Sequence, residues 1–460
     1  MSRPRLAIIG LDCAEPSLVF GGLAGRLPHL ENLMRAGRWG RLQSSDPPIT
    51  VPAWACLVTG RDPGQLGLYG FRNRRGPGYD DLGLASAQDL KAPAIWDLAG
   101  GAGLTSVLLG VPLTYPPRQI RGAMVAGFPT PPGAPLAWPR SLGPRLAAWA
   151  GGPYLPDIEG FRQLAPQALL EQAALMARRR FAVARGLQAQ YQPEFFMMVE
   201  MGPDRVQHAC WGLGNGASGG VAGHYRLLDS LLGGLLAGLE PQTLVLVVSD
   251  HGAQAMRGGL AINEWLIREG WLRLKARPQA PRRLSPEMVD WPATRAWSDG
   301  GHYARIFLNL AGREPQGALP PAQAAAAKAE LRAGLEALAG PDGAPLGNMV
   351  LDPRDLYREL RGLPPDLLVY PGGLAWRAVG TVQPMDGAPV LVQDNDTGPD
   401  RANHAPQGIL IAARAGGRPL ARAGREVEGA SLYDVFPSAL RWLGLDPPPA
   451  GPGRAWEWLC

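Results

Sequence analysis

Leu6-Ala7-Ile8-Ile9-Gly10-Leu11-Asp12 is a run of six apolar residues with no polar alternation, ending on a carboxylate. A short apolar run without a period of two predicts a strand buried on both faces, as in a parallel sheet covered by helices. Further runs of the same kind stand at residues 105–110, 195–200, 243–249, 366–370 and 408–412. Between them lie helix-like segments at 27–36, 166–188, 223–239 and 431–443. Strand and helix in alternation predict an α/β fold: a doubly wound, mostly parallel sheet covered by helices.

The pattern changes from about 264 to 363. Pro-rich loops at 276–292 are followed by a strand-like stretch at 304–309 and an Ala-rich helix near 321–339. An inserted cap subdomain is expected over 264–363, with 1–263 and 364–460 forming the core.

Composition narrows the function classes. With 46% hydrophobic and 18% charged residues in 460, the chain can bury a large core and is not a disordered polypeptide. The formal charge of +5 comes from scattered arginines, with only short clusters such as Arg178-Arg179-Arg180. No long basic run marks a nucleic-acid surface, so the excess serves at most to attract small anions. Cys13, Cys56, Cys210 and Cys460 form neither a CxxC pair nor a disulfide framework, which fits a reducing compartment. No run of about 18 apolar residues is present, so no membrane span is expected. Residues 6–11 read as a core strand rather than a leader, and a cytoplasmic location is expected.

Ligands of open α/β folds gather beyond the carboxyl ends of the strands. Asp12 follows the first strand, Asp204 and His208 follow 195–200, Asp250 and His251 follow 243–249, and His404 precedes 408–412. Asp204 and His208 are spaced i, i+4, which puts both on one face of a helical turn. Carboxylate and imidazole donors of this kind suit zinc, manganese or iron rather than calcium. Taken singly, Asp12 could be a helix cap and Asp250-His251 a strand-end turn. Taken as a set at strand ends, they read as a metal site.

Pro47-Pro48-Ile49-Thr50-Val51-Pro52-Ala53-Trp54 supplies the remaining part. Pro52 reads as a first helical position, placing Thr50 just before a helix N-terminus. Free N–H groups and the positive end of the helix dipole meet there, which makes an anion site of Thr50 and Val51. A threonine hydroxyl needs activation to act as a nucleophile, and metal coordination is one route.

Gly10-Leu11-Asp12, Thr50-Val51-Pro52 with Val58-Thr59-Gly60, Pro203-Asp204 with His208, Ser249-Asp250-His251-Gly252 and the late His404 occur in this order. Together they resemble the alkaline phosphatase superfamily, in its branch of type I phosphodiesterases and nucleotide pyrophosphatases. The resemblance implies a hydrolase with two divalent ions, zinc in most members and manganese or iron in some. Asp204, His208 and His404 would hold one ion and Asp12, Asp250 and His251 the other, with Thr50 at or between them. It implies attack by Thr50 on phosphorus, a phospho-threonine intermediate, and a small phosphorylated substrate. The sequence departs from that branch at Ala53-Trp54, where Asn-His is common, and Asn73 only approximates the position of a phosphate-binding asparagine. Asn73, Tyr115 and Asn263 are taken with Val51 as substrate-contacting candidates.

Two other enzyme types share the scaffold. Sulfatases need a modifiable Cys or Ser in a C/S-x-P-x-R context, which Thr50-Val51-Pro52-Ala53-Trp54 lacks, and phosphomutases add a basic insertion not evident here. A non-catalytic relative binding metal or an anion is the remaining alternative. His29 is expected in a first helical turn at the surface, His224 on an amphipathic helix, His302 in a loop of the insertion, and Cys13 as a small buried residue.

Overall fold

The structure, a computed structural model, describes residues 5–213, 219–393, 400–449 and 451–459; Cys460 lies outside them. The chain divides into two compact units. The first comprises Met1–Phe71, Ala85–Ala253 and His404–Cys460, the second Arg72–Leu84 and Gln254–Asn403.

The first unit is built on a ten-stranded sheet. Its main strands are β1 (Leu6–Leu11), β2 (Arg38–Gln43), β3 (Ser106–Val111), β4 (Gly122–Ala126), β5 (Ala137–Trp138), β6 (Phe195–Glu200), β7 (Leu244–Val248) and β8 (Gln407–Arg414). Across the sheet they run β2-β8-β7-β1-β6-β3-β4-β5. The five from β7 to β4 are parallel, whereas β8 is antiparallel to both β7 and β2, and β5 to β4. The mixed α/β class and the largely parallel sheet agree with the sequence reading.

The unbroken apolar runs follow from burial on both faces. Leu6 and Ile8 of β1 join one apolar cluster with α2 (Thr50–Thr59), α3 (Ile95–Gly101) and α8 (Val435–Trp442). Ala7, Ile9 and Leu11 join another with α1 (Pro28–Ala36), α4 (Gly143–Ala150) and α7 (Gly220–Leu236). The 26-residue α5 (Pro166–Tyr191) serves both, through Leu169, Ala173 and Met176 on one side and Phe181, Ala184 and Leu187 on the other. Burying a Leu- or Ile-sized side chain contributes about 1.5–3 kcal/mol, so these two layers carry most of the unit's stability.

The second unit has its own core, around Trp265, Trp271, Ile306, Leu331 and Leu367. A four-stranded antiparallel sheet lies in it, ordered Ala296–Asp299, Ala304–Leu308, Leu367–Tyr370, Met349–Leu351. The strand read at 366–370 as part of the main sheet therefore belongs here, paired with Ala304–Leu308. A short run buried on both faces looks the same in either sheet, and only pairing separates them. The unit contains all of the expected 264–363 insertion and also takes in 72–84, 254–263 and 364–403.

Cys13, Cys56 and Cys210 are buried free thiols. Among the described residues no helix is long and apolar enough to cross a membrane. His29 is half-buried in the first turn of α1, with its N–H donating to Asp229. His302 is buried in the second unit, where its Nδ1 meets Asn403 Oδ1 at 2.9 Å.

His224 of α7 faces inward, and its Nε2 has no hydrogen-bond partner. Burial disfavours the imidazolium and pushes its pKa from 6.5 down to about 4. Between those values the unfolded chain binds a proton that the folded chain refuses, so stability falls as pH drops from 6.5 toward 4 and levels off below. At 1.36 kcal/mol per unit this loss is about 3 kcal/mol. Urea unfolding in chelator should show wild type losing about that much more than His224→Gln between pH 7.5 and pH 4; parallel curves would refute the assignment.

Candidate metal centre

The three central strands β7, β1 and β6 are neighbours, and their carboxyl ends deliver most of the site. Asp12 follows β1, with its N–H donating to Glu200 O at 3.0 Å. Beyond β6 the chain turns into α6 (Gly202–Cys210), which carries Asp204 in its first turn and His208 in its last. Glu200 steadies that turn, accepting from the Gly202 N–H at 2.9 Å, and is itself held by the buried Arg180 at 3.6 Å. Asp250 and His251 follow β7. Because β8 runs antiparallel, its start lies beside the end of β7, and His404 arrives three residues ahead of it.

Thr50 comes from the connection after β2. Ser44 ties this segment to the site by donating its hydroxyl to Asp250 O. Helix α2 begins at Thr50 itself, with Ile49 as N-cap, so Pro52 is the third helical residue and not the first as expected. The first helical bond runs from Ala53 N to Ile49 O. The N–H groups of Thr50 and Val51 precede it, and Pro52, which has none, leaves no bond unmade.

All seven predicted ligand residues converge and are buried, none more than 2% exposed. His208 Nε2, His404 Nε2 and Asp204 Oδ1 form a triangle whose three sides are each 3.3 Å. Donors about 2.0–2.1 Å from a tetrahedral zinc stand about 3.3–3.4 Å apart. His251 Nε2 lies 3.2 Å from Asp250 Oδ2, 3.9 Å from Asp12 Oδ1 and 3.4 Å from Thr50 Oγ1. Two trios, Asp204 with His251 and His404, and Asp12 with Asp250 and His251, have donor atoms mutually within 4.8 Å.

How the chain prepares these donors is the more telling feature. Each carboxylate has one oxygen held and the other left over. Trp54 Nε1 donates to Asp12 Oδ2 at 2.7 Å, Arg205 Nη1 to Asp204 Oδ2, and Cys13 N to Asp250 Oδ1 at 3.2 Å. The remaining atoms, Asp12 Oδ1, Asp204 Oδ1 and Asp250 Oδ2, are buried without a hydrogen-bond partner. His251 Nδ1 lies 3.1 Å from Gly252 O and His404 Nδ1 lies 2.9 Å from Pro48 O. Both rings thus donate at Nδ1 and keep the Nε2 lone pair, the tautomer a metal requires.

Charge gives the same answer. Burial raises Asp12 well above the ordinary carboxylate range, and the neighbouring Asp204 raises it further. Burial and Asp12 do the same to Asp250. Burial acts to raise Asp204 too, but His208 and Arg205 outweigh it and hold that carboxyl well below its usual value. Burial and His404 lower His251, and burial lowers His404. Three buried carboxylates beside His251 and His404, which both favour neutrality, form a desolvated pocket in which divalent cations would stabilise the ionised carboxylates. The residues fit divalent-metal binding.

Sequence reasoning missed Trp54 and Arg205. Trp54 stands i, i+4 from Thr50 and therefore shares its helix face, a signal present in the sequence. Its indole fills the space above Gly10, where an added Cβ would lie 2.4 Å from Trp54 Cη2. Arg205 reaches Asp204 only by curling back along α6, which spacing does not reveal. Among the substrate-contacting candidates, Val51 is packed in the apolar cluster of α2, and Tyr115 is half-buried in the first unit. Asn73 and Asn263 are buried in the second unit. The Asn263 amide donates to Ser298 O and Gly380 O and accepts from Ser298 N, so its side chain braces that unit.

Residues 6–378 match the family model described as type I phosphodiesterase / nucleotide pyrophosphatase. A search of curated proteins found no match.

Two outcomes follow from the geometry. Divalent zinc or manganese at a hundredfold excess over Kd should stabilise the chelator-stripped protein by about 2.7 kcal/mol, read as a rise in Tm, and Asp250→Asn should abolish most of that rise. Gly10→Ala should displace Trp54 from Asp12 and cost about 1–3 kcal/mol by overpacking. A Gly10→Ala protein with unchanged Tm and metal response would show that the indole contact is not needed.

Proposed function

The chain belongs to the type I phosphodiesterase/nucleotide pyrophosphatase family, and on that premise we propose a two-metal hydrolase of phosphate esters or phosphodiesters in which Thr50 is the nucleophile. Asp204, His208 and His404 would hold one divalent cation, and Asp12, Asp250 and His251 the other. When bound, ions of the zinc, manganese or iron kind would neutralise phosphoryl oxygens and lower the pKa of a hydroxyl group.

The protein's own groups define the rest. Thr50 Oγ1 attacks phosphorus, a P–O bond forms to the threonine, and the bond to the leaving alcohol or phosphate breaks. Water then attacks the phospho-threonine at phosphorus and frees Thr50. The N–H groups of Thr50 and Val51, at the positive end of α2, receive phosphoryl oxygens. Burial of the donor atoms keeps bulk water away from the charges, which strengthens each interaction.

The observation that carries this reading is the half-satisfied state of Asp12, Asp204 and Asp250, each with its unpartnered oxygen buried, in a site where Thr50 Oγ1 stands 3.4 Å from His251 Nε2. That distance also admits a metal-free reading, with His251 as general base toward Thr50. It leaves the three buried carboxylate oxygens without a hydrogen bond, facing imidazole nitrogens 3.2–3.9 Å away, and the two-metal reading is preferred for that reason. A relative that only binds cations has no need of a hydroxyl in register with the donors.

Hydrolysis of bis-p-nitrophenyl phosphate and p-nitrophenyl phosphate tests the proposal. Thr50→Ala should lose at least about a thousandfold in kcat, in line with the loss of other covalent nucleophiles, while Thr50→Ser keeps measurable turnover. Chelation should abolish activity and added zinc or manganese restore it. Acid-quenched wild type should yield a phosphorylated peptide containing Thr50. Full rate in Thr50→Ala would remove the nucleophile, and full rate after exhaustive chelation would remove the metals.

A further inference from the structure

Arg205 touches the metal centre without being a ligand to it. It directly follows Asp204 on α6, its side chain is 8% exposed, and it curls back so that Nη1 donates to Asp204 Oδ2. Along the rest of the guanidinium, Nε and Nη2 donate to Asp157 Oδ1 and Oδ2 at 3.0 and 2.7 Å. Its guanidinium carbon also lies 5.1 Å from the ring centroid of Phe128 and 4.7 Å from that of Phe161. A planar fork with polar partners along its edges and rings close by has almost no rotational freedom left.

We infer that Arg205 is a positioning residue that presents Asp204 to a cation through Oδ1 alone. This rests on the two-metal reading above. With Oδ2 tied, the carboxylate can neither swing nor grip an ion with both oxygens, and Oδ1 is fixed 3.3 Å from His208 Nε2 and His404 Nε2 alike. Single-oxygen ligation alongside two imidazoles favours a compact N/O site of the zinc kind over a site rich in chelating carboxylates of the calcium kind.

Arg205 acts on a divalent ion in two ways of opposite sign. Its positive charge repels the ion, and its grip on Asp204 orients a ligand toward it. Asp157 answers the charge at 2.7 Å, so the repulsion is largely cancelled while the orientation remains. Removing the side chain should therefore weaken cation binding, whereas a guanidinium acting through charge alone predicts tighter binding once it is gone.

The measurement is Zn2+ affinity of the full-length protein, stripped by chelator and titrated with Zn2+ alone against a competing chromophoric chelator. Arg205→Met should bind the Zn2+ of the Asp204 site about 10–100-fold more weakly, the range found when groups that orient metal ligands are removed. Arg205→Lys, which keeps the charge but not the fork, should fall between Arg205→Met and wild type. The Zn2+ held by Asp12, Asp250 and His251 should keep its affinity in both variants. Binding by Arg205→Met as tight as wild type or tighter overturns the inference, and so does Arg205→Lys indistinguishable from wild type. If circular dichroism shows that stripped Arg205→Met does not fold, Arg205→Lys decides alone. A wild-type protein that takes up no Zn2+ overturns the metal reading itself and this inference with it.

Discussion

Three carboxylates buried within reach of one another impose the constraint on which the site depends. Each of Asp12, Asp204 and Asp250 is at most 1% exposed, and each has one oxygen hydrogen-bonded to the chain and one that makes no hydrogen bond. Taking a single ion of this size out of water costs several kcal/mol even after the surroundings relax. A protein can tolerate three together only if protons or cations reduce the charge. The held oxygens favour cations, because Trp54, Arg205 and Cys13 N each donate to their carboxylate and none accepts a proton from it. Donors on that side stabilise the ionised form, and His251 and His404 opposite present lone pairs.

Such a cluster needs a scaffold able to bear its cost. The sheet supplies it by separating the work: residues within the strands pack two apolar layers, and the residues just past the strand ends form the polar cluster. Order within the sheet then decides which ends meet. Because β1 lies between β7 and β6, the loops after all three open into one crevice. The reversed β8 adds His404 from the opposite chain direction, which a purely parallel sheet could not do at that point.

Much of this was legible in the sequence because burial on both faces leaves an unmistakable apolar run, and a polar residue at its end stands out. Asp12, Asp204, His208, Asp250, His251 and His404 stand out in that way, and the fold brings them together. The run at 366–370 shows the limit of the same signal, since it reports burial and not partnership, and the strand pairs in the second unit. Helix starts were read from proline, which is tolerated anywhere in the first turn where N–H groups have no partner to lose, so the start of α2 was placed too late. Arg205 and Trp54 escaped because their roles depend on where a long side chain folds back, and spacing carries no such information.

Gly10 shows how closely core and site are joined. It lies inside β1, two residues before Asp12, and leaves room for the Trp54 ring, whose Cη2 would stand 2.4 Å from any Cβ placed there. The same ring sends its Nε1 proton to Asp12. One indole therefore sets the height of α2 over β1 and, through it, the position of Thr50 relative to the carboxylate at the end of that strand. Close packing usually fixes a fold, with chemistry added on loops that can vary freely. Here the packing residue also makes the hydrogen bond that holds Asp12, so a change to one cannot be absorbed without moving the other. Thr50 is placed by the core itself, through a helix whose ten residues are all buried.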